Sequence, residues 1–345
     1  MKKVYVGLSG GVDSSVAAAL LKQRGYNVIG VYMKNWSQDL PGLPCPWKDD
    51  YQDAKRVAVQ LDIPFKMYDF EKQYRHKVVD YMLEEFKAGR TPNPDIMCNQ
   101  EIKFKLFLET ALEDGADMIA TGHYARTKNG RLLMAKDDNK DQTYFLYRMP
   151  KAALDKTIFP LGDYTKPQVR QLAKQLKLIT ADKKESMGIC FVGKVGIKDF
   201  LKQYVDEKPG KIIDQVGREV GWHDGAIFYT IGQRHGLEVG GGMPFYVTGK
   251  SMKKNEIYVT TDLQDEKLWS WEVRLSDTHW ISSPPADKKI SVRLRHRAKL
   301  TPVKILNKSS NSWTAELTEE VRALTPGQSA VFYSDTECLG GGIVI

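Results

Sequence analysis

Residues Ser9-Gly10-Gly11-Val12-Asp13-Ser14-Ser15 bring hydroxyls, flexible backbone and one carboxylate together in a single short string. They follow the apolar run Val4–Leu8, which reads as a buried strand. They lead into Val12, Val16, Ala17, Leu20 and Leu21, spaced along one helix face. A strand turning through glycines into a helix aims free N–H groups and the positive end of the helix dipole at one point. Gly10 and Gly11 let an anion approach the backbone with no Cβ in the way. The chemistry this suits is the cradling of a phosphate, with hydroxyls from Ser9, Ser14 and Ser15. Asp13, in the first helical turn, is placed to hold a magnesium ion bridging pyrophosphate oxygens. Neither G-x-x-x-x-G-K-[ST] nor G-x-G-x-x-G occurs here. A plainer reading of the string is a Ser9 or Asp13 cap on an ordinary strand-to-helix turn.

The string resembles the PP-loop of the N-type ATP pyrophosphatases, which cleave ATP between the α and β phosphates to adenylate a substrate. A second constellation is Thr91-Pro92-Asn93-Pro94-Asp95-Ile96-Met97-Cys98-Asn99. Two prolines two apart make a stiff, extended loop. Asp95 and Cys98 follow at a spacing of three, at the mouth of the next helix, where the dipole favours a thiolate; a buried structural thiol is the alternative. The third is Ser186-Met187-Gly188-Ile189-Cys190-Phe191, with Lys183, Lys184 and Lys194 nearby to lower the thiol pKa. Two reactive thiols beside an adenylating loop suggest sulfur transfer. ATP makes an oxygen a good leaving group, a persulfide on one cysteine attacks the activated carbon, and the second cysteine releases the sulfur and forms a disulfide. The two thiols lie 92 positions apart and would have to meet.

The elements that must position these residues are legible in outline. Strands at 4–8, 27–33, 65–70 and 117–121 alternate with helices at 50–61, 74–86 and 102–112. This is an α/β pattern, a doubly wound parallel sheet whose ligands sit beyond the carboxyl ends of the strands. From 151 to 204 the chain turns helical, with Thr165-Lys166-Pro167 as a helix start. After Lys208-Pro209-Gly210 it becomes β-rich, with candidate strands at 212–214, 226–229, 245–248 and 256–260. Ser282-Ser283-Pro284-Pro285 sits near another boundary. Runs at 290–297, 303–305, 312–317 and 329–333 then alternate as in a small barrel.

The 345 residues carry a net charge of +8, which suggests a polyanionic partner. Eleven Lys or Arg against five Asp or Glu fall between Lys151 and Tyr204; a solvated basic face is the alternative. Arg293, Arg295 and Arg297, read as one strand, would share a face suited to phosphates. Cys45, Cys98, Cys190 and Cys338 form no C-x-x-C, so neither zinc nor an iron–sulfur cluster is expected. His76, His223, His235 and His279 read as ordinary polar or core residues. No apolar run is long enough for a membrane span. The first strand begins by Val4 and leaves no room for a signal peptide, so a cytoplasmic setting is expected.

The motifs combine into a closer resemblance. Gly-Leu-Ser-Gly-Gly-Val-Asp-Ser at 7–14, Met-Lys-Asn-Trp at 33–36, Asn-Pro-Asp-Ile-Met-Cys-Asn at 93–99 and Ala-Thr-Gly-His-Tyr-Ala-Arg at 120–126 occur in order. Lys-Asp-Gln-Thr-Tyr-Phe-Leu at 140–146, Gly-Ile-Cys-Phe at 188–191, Tyr-Thr-Ile-Gly-Gln-Arg-His-Gly-Leu at 229–237 and Pro-Gly-Gln-Ser-Ala-Val-Phe-Tyr at 326–333 follow. Together they resemble the tRNA-specific 2-thiouridylase family. The resemblance implies a PP-loop catalytic domain (1–204), a small β-rich central domain (205–276) and a C-terminal β-barrel (277–345). It implies ATP bound by Gly7, Leu8, Ser9, Gly10, Gly11, Val12, Asp13 and Ser14, with Met33 and Gly122 flanking the nucleotide, and Mg2+ on Asp13. Cys190 would carry the persulfide, Cys98 would be its partner in a transient disulfide, and Asp95 would be the acid or base. Asn93, Pro94 and Asp95 would meet the target base. His123, Lys140, Asp141, Gln142, Arg295, His296 and Gln328 would touch tRNA. The target would be the wobble uridine in the anticodon stem-loop of lysine, glutamate and glutamine tRNAs, with a cysteine desulfurase or sulfur relay as donor. The family pattern leads one to expect Tyr at His296 and Thr at Met187.

Three other readings share some of these features. A PP-loop ligase acting on a small molecule needs neither the basic segment nor two reactive thiols. A non-catalytic tRNA binder would keep the loop only to sense nucleotide. A cluster-dependent thiolation enzyme would want a C-x-x-C.

Overall fold

Val4 and Val6 of the first strand, β1 (Lys3–Gly7), pack with Ala18 and Leu21 of helix α1 (Val12–Gln23) and with Ala54, Val57 and Ala58 of helix α2 (Trp47–Gln60). Tyr5 faces the other way, into a cluster with Val31, Phe107 and Ile119. Both faces of the sheet are therefore covered, which is why its strands read as near-continuous apolar runs. In the computed structural model residues 1–39, 45–184, 196–237, 239–240, 242–281, 289–308 and 312–345 are described. Cys190, Met187 and Lys194 lie outside these described residues.

Next along the chain come β2 (Asn27–Lys34), β3 (Phe65–Asp69) and β4 (Met118–Ala120), then a hairpin of β5 (Arg126–Lys128) and β6 (Arg131–Leu133), then β7 (Thr157–Ile158). Five of these form one wholly parallel sheet in the order β3-β2-β1-β4-β7. The order reverses between β1 and β4, and the carboxyl ends of those two strands are where such sheets open a ligand crevice.

The helix predicted at 102–112 begins much earlier, at Pro94. Asn93 caps it by accepting the Asp95 N–H at 3.2 Å. The run then continues through a π-helical stretch, Cys98–Leu106, into Phe107–Glu113.

The central unit pairs β8 (Gly210–Ile213), β9 (Glu219–His223), β10 (Tyr246–Ser251) and β11 (Glu256–Thr260) in the order β10-β11-β8-β9. The strand expected at 226–229 is instead a 3-10 turn, Ala226–Phe228. Gly225 has a φ of +149° and its carbonyl accepts the Phe228 N–H, which curls the chain out of an extended path.

The C-terminal strands are β12 (Trp269–Trp280), β13 (Ile290–Arg293), β14 (Thr301–Lys308), β15 (Ser312–Arg322), β16 (Ser329–Ser334) and β17 (Glu337–Val344). They run β12-β15-β14-β13-β16-β17, and β12 pairs again with β17, which closes a six-stranded barrel. The boundary expected at 276–277 falls inside β12, whose Val273 and Leu275 belong to the barrel core. The β5–β6 hairpin of the N-terminal unit adds to the barrel through β17. Among the described residues no helix is long and apolar enough to cross a membrane.

Candidate active site

At the end of β1 the chain turns at Gly10, whose φ is +73°. A Cβ there would run into the Asp50 backbone of α2, so the turn is sealed against the neighbouring helix. Leu8 and Val12 are buried, and Ser9 is exposed at the turn. Of the three expected hydroxyl donors, Ser14 and Ser15 are buried and donate back to the Gly11 carbonyl at 3.1 and 2.8 Å. They hold the shape of the turn. An anion entering this turn would meet Ser9 and the backbone N–H groups at the start of α1.

Gly122 lies just past the end of β4. A Cβ on it would come within 2.8 Å of the Ser14 nitrogen, so only glycine lets this segment approach the first turn of α1 so closely. On the other side the Met33 methyl would lie 3.0 Å from a Cβ on Gly7. Met33, Gly7 and Gly122 thus gather around the root of the loop, as the sequence motifs suggested.

Asp13 is engaged. Its carboxylate takes Lys166 Nζ at 2.7 and 2.8 Å and the Tyr124 hydroxyl at 2.9 Å. Lys166 opens the helix Lys166–Gln175, started by Pro167 and by Gln168 Oε1, which accepts the Thr165 N–H at 2.8 Å. That helix packs on α1 through Val16, Leu20, Val169 and Ala173. The helix start was legible in sequence, but the delivery of Lys166 to the phosphate cradle was not. The loop lacks a Walker lysine, and Lys166 brings a buried ammonium to its Asp13. A magnesium ion shared with phosphate oxygens needs only one or two protein carboxylates, yet on Asp13 it would have to displace Lys166. Among the described residues no group of three His, Cys, Asp or Glu side chains could hold a metal.

The second constellation sits on the seam with the barrel. The Thr91 N–H donates to the Pro326 carbonyl at 2.8 Å, and Gln328 Nε2 donates to the Thr91 carbonyl at 2.7 Å. The Thr91 hydroxyl lies 3.2 Å from that of Thr230 in the central unit. The stiff loop carrying Asn93, Pro94 and Asp95 is thus pinned by all three parts of the chain. Asp95 is half-buried, while Cys98 is only 1 % exposed, packed with Ile96, Ile102 and Phe104.

The basic features are arranged differently from expectation. Lys183, expected to polarise a thiol, is held by Asp50 at 2.8 Å and Asp53 at 2.7 Å on α2. Strand β13 stops at Arg293, and Arg297 has a φ of +64°, so Arg293, Arg295 and Arg297 do not share a strand face. Arg293 turns inward to Asp141, Arg295 donates to the Ala323 carbonyl, and Arg297 to that of Asn139.

Three family descriptions match the chain in succession: tRNA methyl transferase HUP domain at 2–194, tRNA methyl transferase PRC-barrel domain at 198–261, and aminomethyltransferase beta-barrel domain at 270–344. The tRNA-specific 2-thiouridylase MnmA of Bacillus cytotoxicus is 48 % identical over 99 % of this chain and 94 % of its own length. The protein of the same name from Bacillus thuringiensis is 47 % identical over the same shares. The chain belongs to the tRNA-specific 2-thiouridylase family. Among solved structures, a 4-thiouridine synthetase–RNA complex with bound ATP is similar only at a TM-score of 0.39, with 19 % identity over 59 % of this chain and 50 % of that one.

Membership in the 2-thiouridylase family gives the motif residues a common frame, and the geometry sorts them. His123 is buried, with Nδ1 2.8 Å from the Thr121 hydroxyl and its ring between Phe104 and Phe159. Burial, reinforced by Lys103, pushes its pKa well below the ordinary histidine value. Asp141 is 1 % exposed and accepts from the Ala135 N–H, the Thr143 hydroxyl and Arg293. Both side chains are buried and turned to protein partners in this arrangement. Gln142 is half-buried, with its Oε1 on the Tyr124 N–H at 2.9 Å. Lys140 is also half-buried. Arg295 is exposed. His296 is half-buried, its ring 4.6 Å from that of Phe145, and its Nδ1 has no hydrogen-bond partner.

Proposed function

We propose that this chain is a tRNA 2-thiouridylase acting on the wobble uridine of lysine-, glutamate- and glutamine-type tRNAs. The observation that carries the reading is the pinning of Thr91, just before the Asn93-capped helix of Asp95 and Cys98, between barrel and central unit, in a chain whose first strand ends in a glycine turn into a helix. In this reading an RNA loop enters at that seam and meets the two further domains there. A modifying enzyme reads exposed, unstacked bases and draws its target into a pocket.

In the proposed sequence the uridine O2 attacks the α-phosphorus of ATP, and pyrophosphate leaves. Ser9 and the N–H groups at the start of α1 hold phosphate oxygens, and Lys166 neutralises charge on the leaving group. The terminal sulfur of a persulfide on Cys190 then forms the bond to C2, and AMP leaves with the old oxygen. Cys98 attacks the inner sulfur of Cys190, which breaks the S–S bond and leaves a Cys98–Cys190 disulfide for an external thiol to reduce. Asp95 moves the proton at the base, and Asn93 and Pro94 shape its seat. Mg2+ would arrive with ATP and compete with Lys166 for Asp13. The sulfur comes from a donor protein, a cysteine desulfurase or a relay, and the setting is the cytoplasm, where thiols are kept reduced.

The test is sulfur incorporation into total tRNA from a strain lacking the modification, with ATP, magnesium and a persulfide source, read by nucleoside mass analysis. 2-Thiouridine that disappears without ATP and with Cys190→Ser supports the reading. ATP split to AMP with no thiolated nucleoside would move the search to small-molecule acceptors.

A further inference from the structure

Where the central unit meets the barrel, two residues with left-handed backbones touch. Gly232 has a φ of +81° and Ala323 of +55°, and any Cβ on Gly232 would collide with that of Ala323. The Ala323 N–H is bonded to the Leu268 carbonyl, and its own carbonyl accepts Arg295 Nη2 at 2.7 Å and the Thr325 hydroxyl at 2.9 Å. This contact leaves a cleft of about 340 Å³ lined by Gly232, Arg234, Tyr246, Arg295, Arg322 and Ala323. A second hollow of about 220 Å³ shares Arg295, Arg322 and Ala323 and extends to Gln328.

Three guanidinium groups from two domains line one opening, and all three residues are exposed. Among the described residues no carboxylate lines either hollow. Arg322 lies with its guanidinium 4.5 Å from the Tyr246 ring centroid, which fixes its plane. Such a site would repel a cation and favour an anion. Guanidinium forks match phosphate oxygens in geometry as well as charge. Gln328, at the far end of the second hollow, holds the Thr91 carbonyl, so the hollows lead toward the loop of Asn93, Pro94 and Asp95.

We propose that this cleft, through Arg234, Arg295 and Arg322, grips a backbone phosphate of the RNA strand next to the target nucleotide; the proposal rests on the tRNA-modifying reading above. Phosphate contacts fix register and orientation, and the base-specific work is done elsewhere. The cleft would set how far the target base lies from Asp95.

The experiment compares the full-length wild type with Arg234→Ala/Arg322→Ala for binding of unmodified tRNA across a salt series. ATP affinity and melting temperature of each protein report its folding. The double variant is expected to bind about tenfold more weakly. Its slope of log affinity against log salt should be shallower by about 0.7, since one single-strand phosphate contact is lost. Wild type that binds tRNA, with a folded double variant of the same affinity and slope, overturns the cleft while leaving the reading intact. Wild type that binds no tRNA overturns both. If the double variant does not fold, Arg234→Glu alone, on an exposed side chain, carries the test: unchanged affinity and slope overturn the proposal.

Discussion

Cys98 is 1 % exposed and Cys338 likewise, whereas Cys45 is half-buried. Burial first, then Asp141 nearby, pushes the Cys338 thiol far above its ordinary value, so it is inert as well as hidden. Alkylation followed by peptide mass analysis should therefore label Cys45 ahead of both, and Cys338 only on unfolding. If Cys98 attacks a persulfide, its loop must open, and tRNA with ATP should speed Cys98 labelling at least several-fold; labelling unaffected by tRNA would argue against that role. His296 behaves as a second reporter. Burial first, then Arg297, Arg293 and Lys140, lowers its pKa to about 4, against about 6.5 in an unfolded chain. Between these values the unfolded chain takes up the proton and the folded one does not. The neutral-His contribution is thus intact above about pH 6.5 and is lost as pH falls toward 4. His123 acts with the same sign. The urea midpoint of wild type should drop from pH 7 to pH 5, and His296→Phe should shrink that drop without abolishing it. Equal drops in both proteins would show that His296 is not held neutral.

The PP-loop works as a joint between elements: β1 ends in it, α1 starts from it, and the helix Lys166–Gln175 reaches across to it. Lys166→Met leaves α1 and the turn in place and removes the cation, so tRNA-dependent pyrophosphate release should fall about tenfold or more. Asp13→Asn separates two roles. If Asp13 serves chiefly to aim Lys166, raising magnesium will not restore the variant; recovery at high magnesium would assign Asp13 to the metal. The loop itself was legible because a strand, two glycines and a helix are contiguous. The Lys166–Asp13 pair was not, since its partners are 153 residues apart. The same distinction runs through the fold. Strands β1, β2, β3 and β11 follow from local apolar patterning. The join of β6 to β17 depends on a partner some two hundred residues away, and no local pattern announces it. The domain boundary implied at 276–277 falls inside β12, whose inward Val273 and Leu275 alternate with polar neighbours. Asn93 with Pro94 was a readable helix start that the prolines alone disguised as loop.

Across the whole molecule part of the basic excess counted at 151–204 is met by acids from elsewhere in the chain. Within 151–204, Lys166 is matched by Asp13, Lys183 by Asp50 and Asp53, and Lys198 by Asp224, acids that lie outside the segment. Arg234, Arg295 and Arg322 gather at the seam between central unit and barrel, so the placement of the barrel decides whether that basic cleft exists. One buried pair anchors that placement. Arg293 of the barrel meets Asp141 at 2.9 Å, with side chains 9 % and 0 % exposed. The Thr143 hydroxyl bonds the same carboxylate and lies 3.2 Å from that of Tyr333, whose ring Arg293 overlies. Removing one partner strands a buried charge, which typically costs about 3–5 kcal/mol, while removing both does not. Asp141→Ala should therefore lower the first urea transition by about 3 kcal/mol or more, and Asp141→Ala/Arg293→Met should be less destabilised than that single variant. Because Gln328 and Pro326 ride on the barrel, loosening it frees the Thr91 end of the reactive loop. The single variant should thus lose tRNA thiolation more steeply than ATP binding, which depends on β1 and α1. Destabilisation that simply adds in the double variant would show that the two charges do not depend on each other. Equal loss of both activities would show that barrel and cradle unfold as one body.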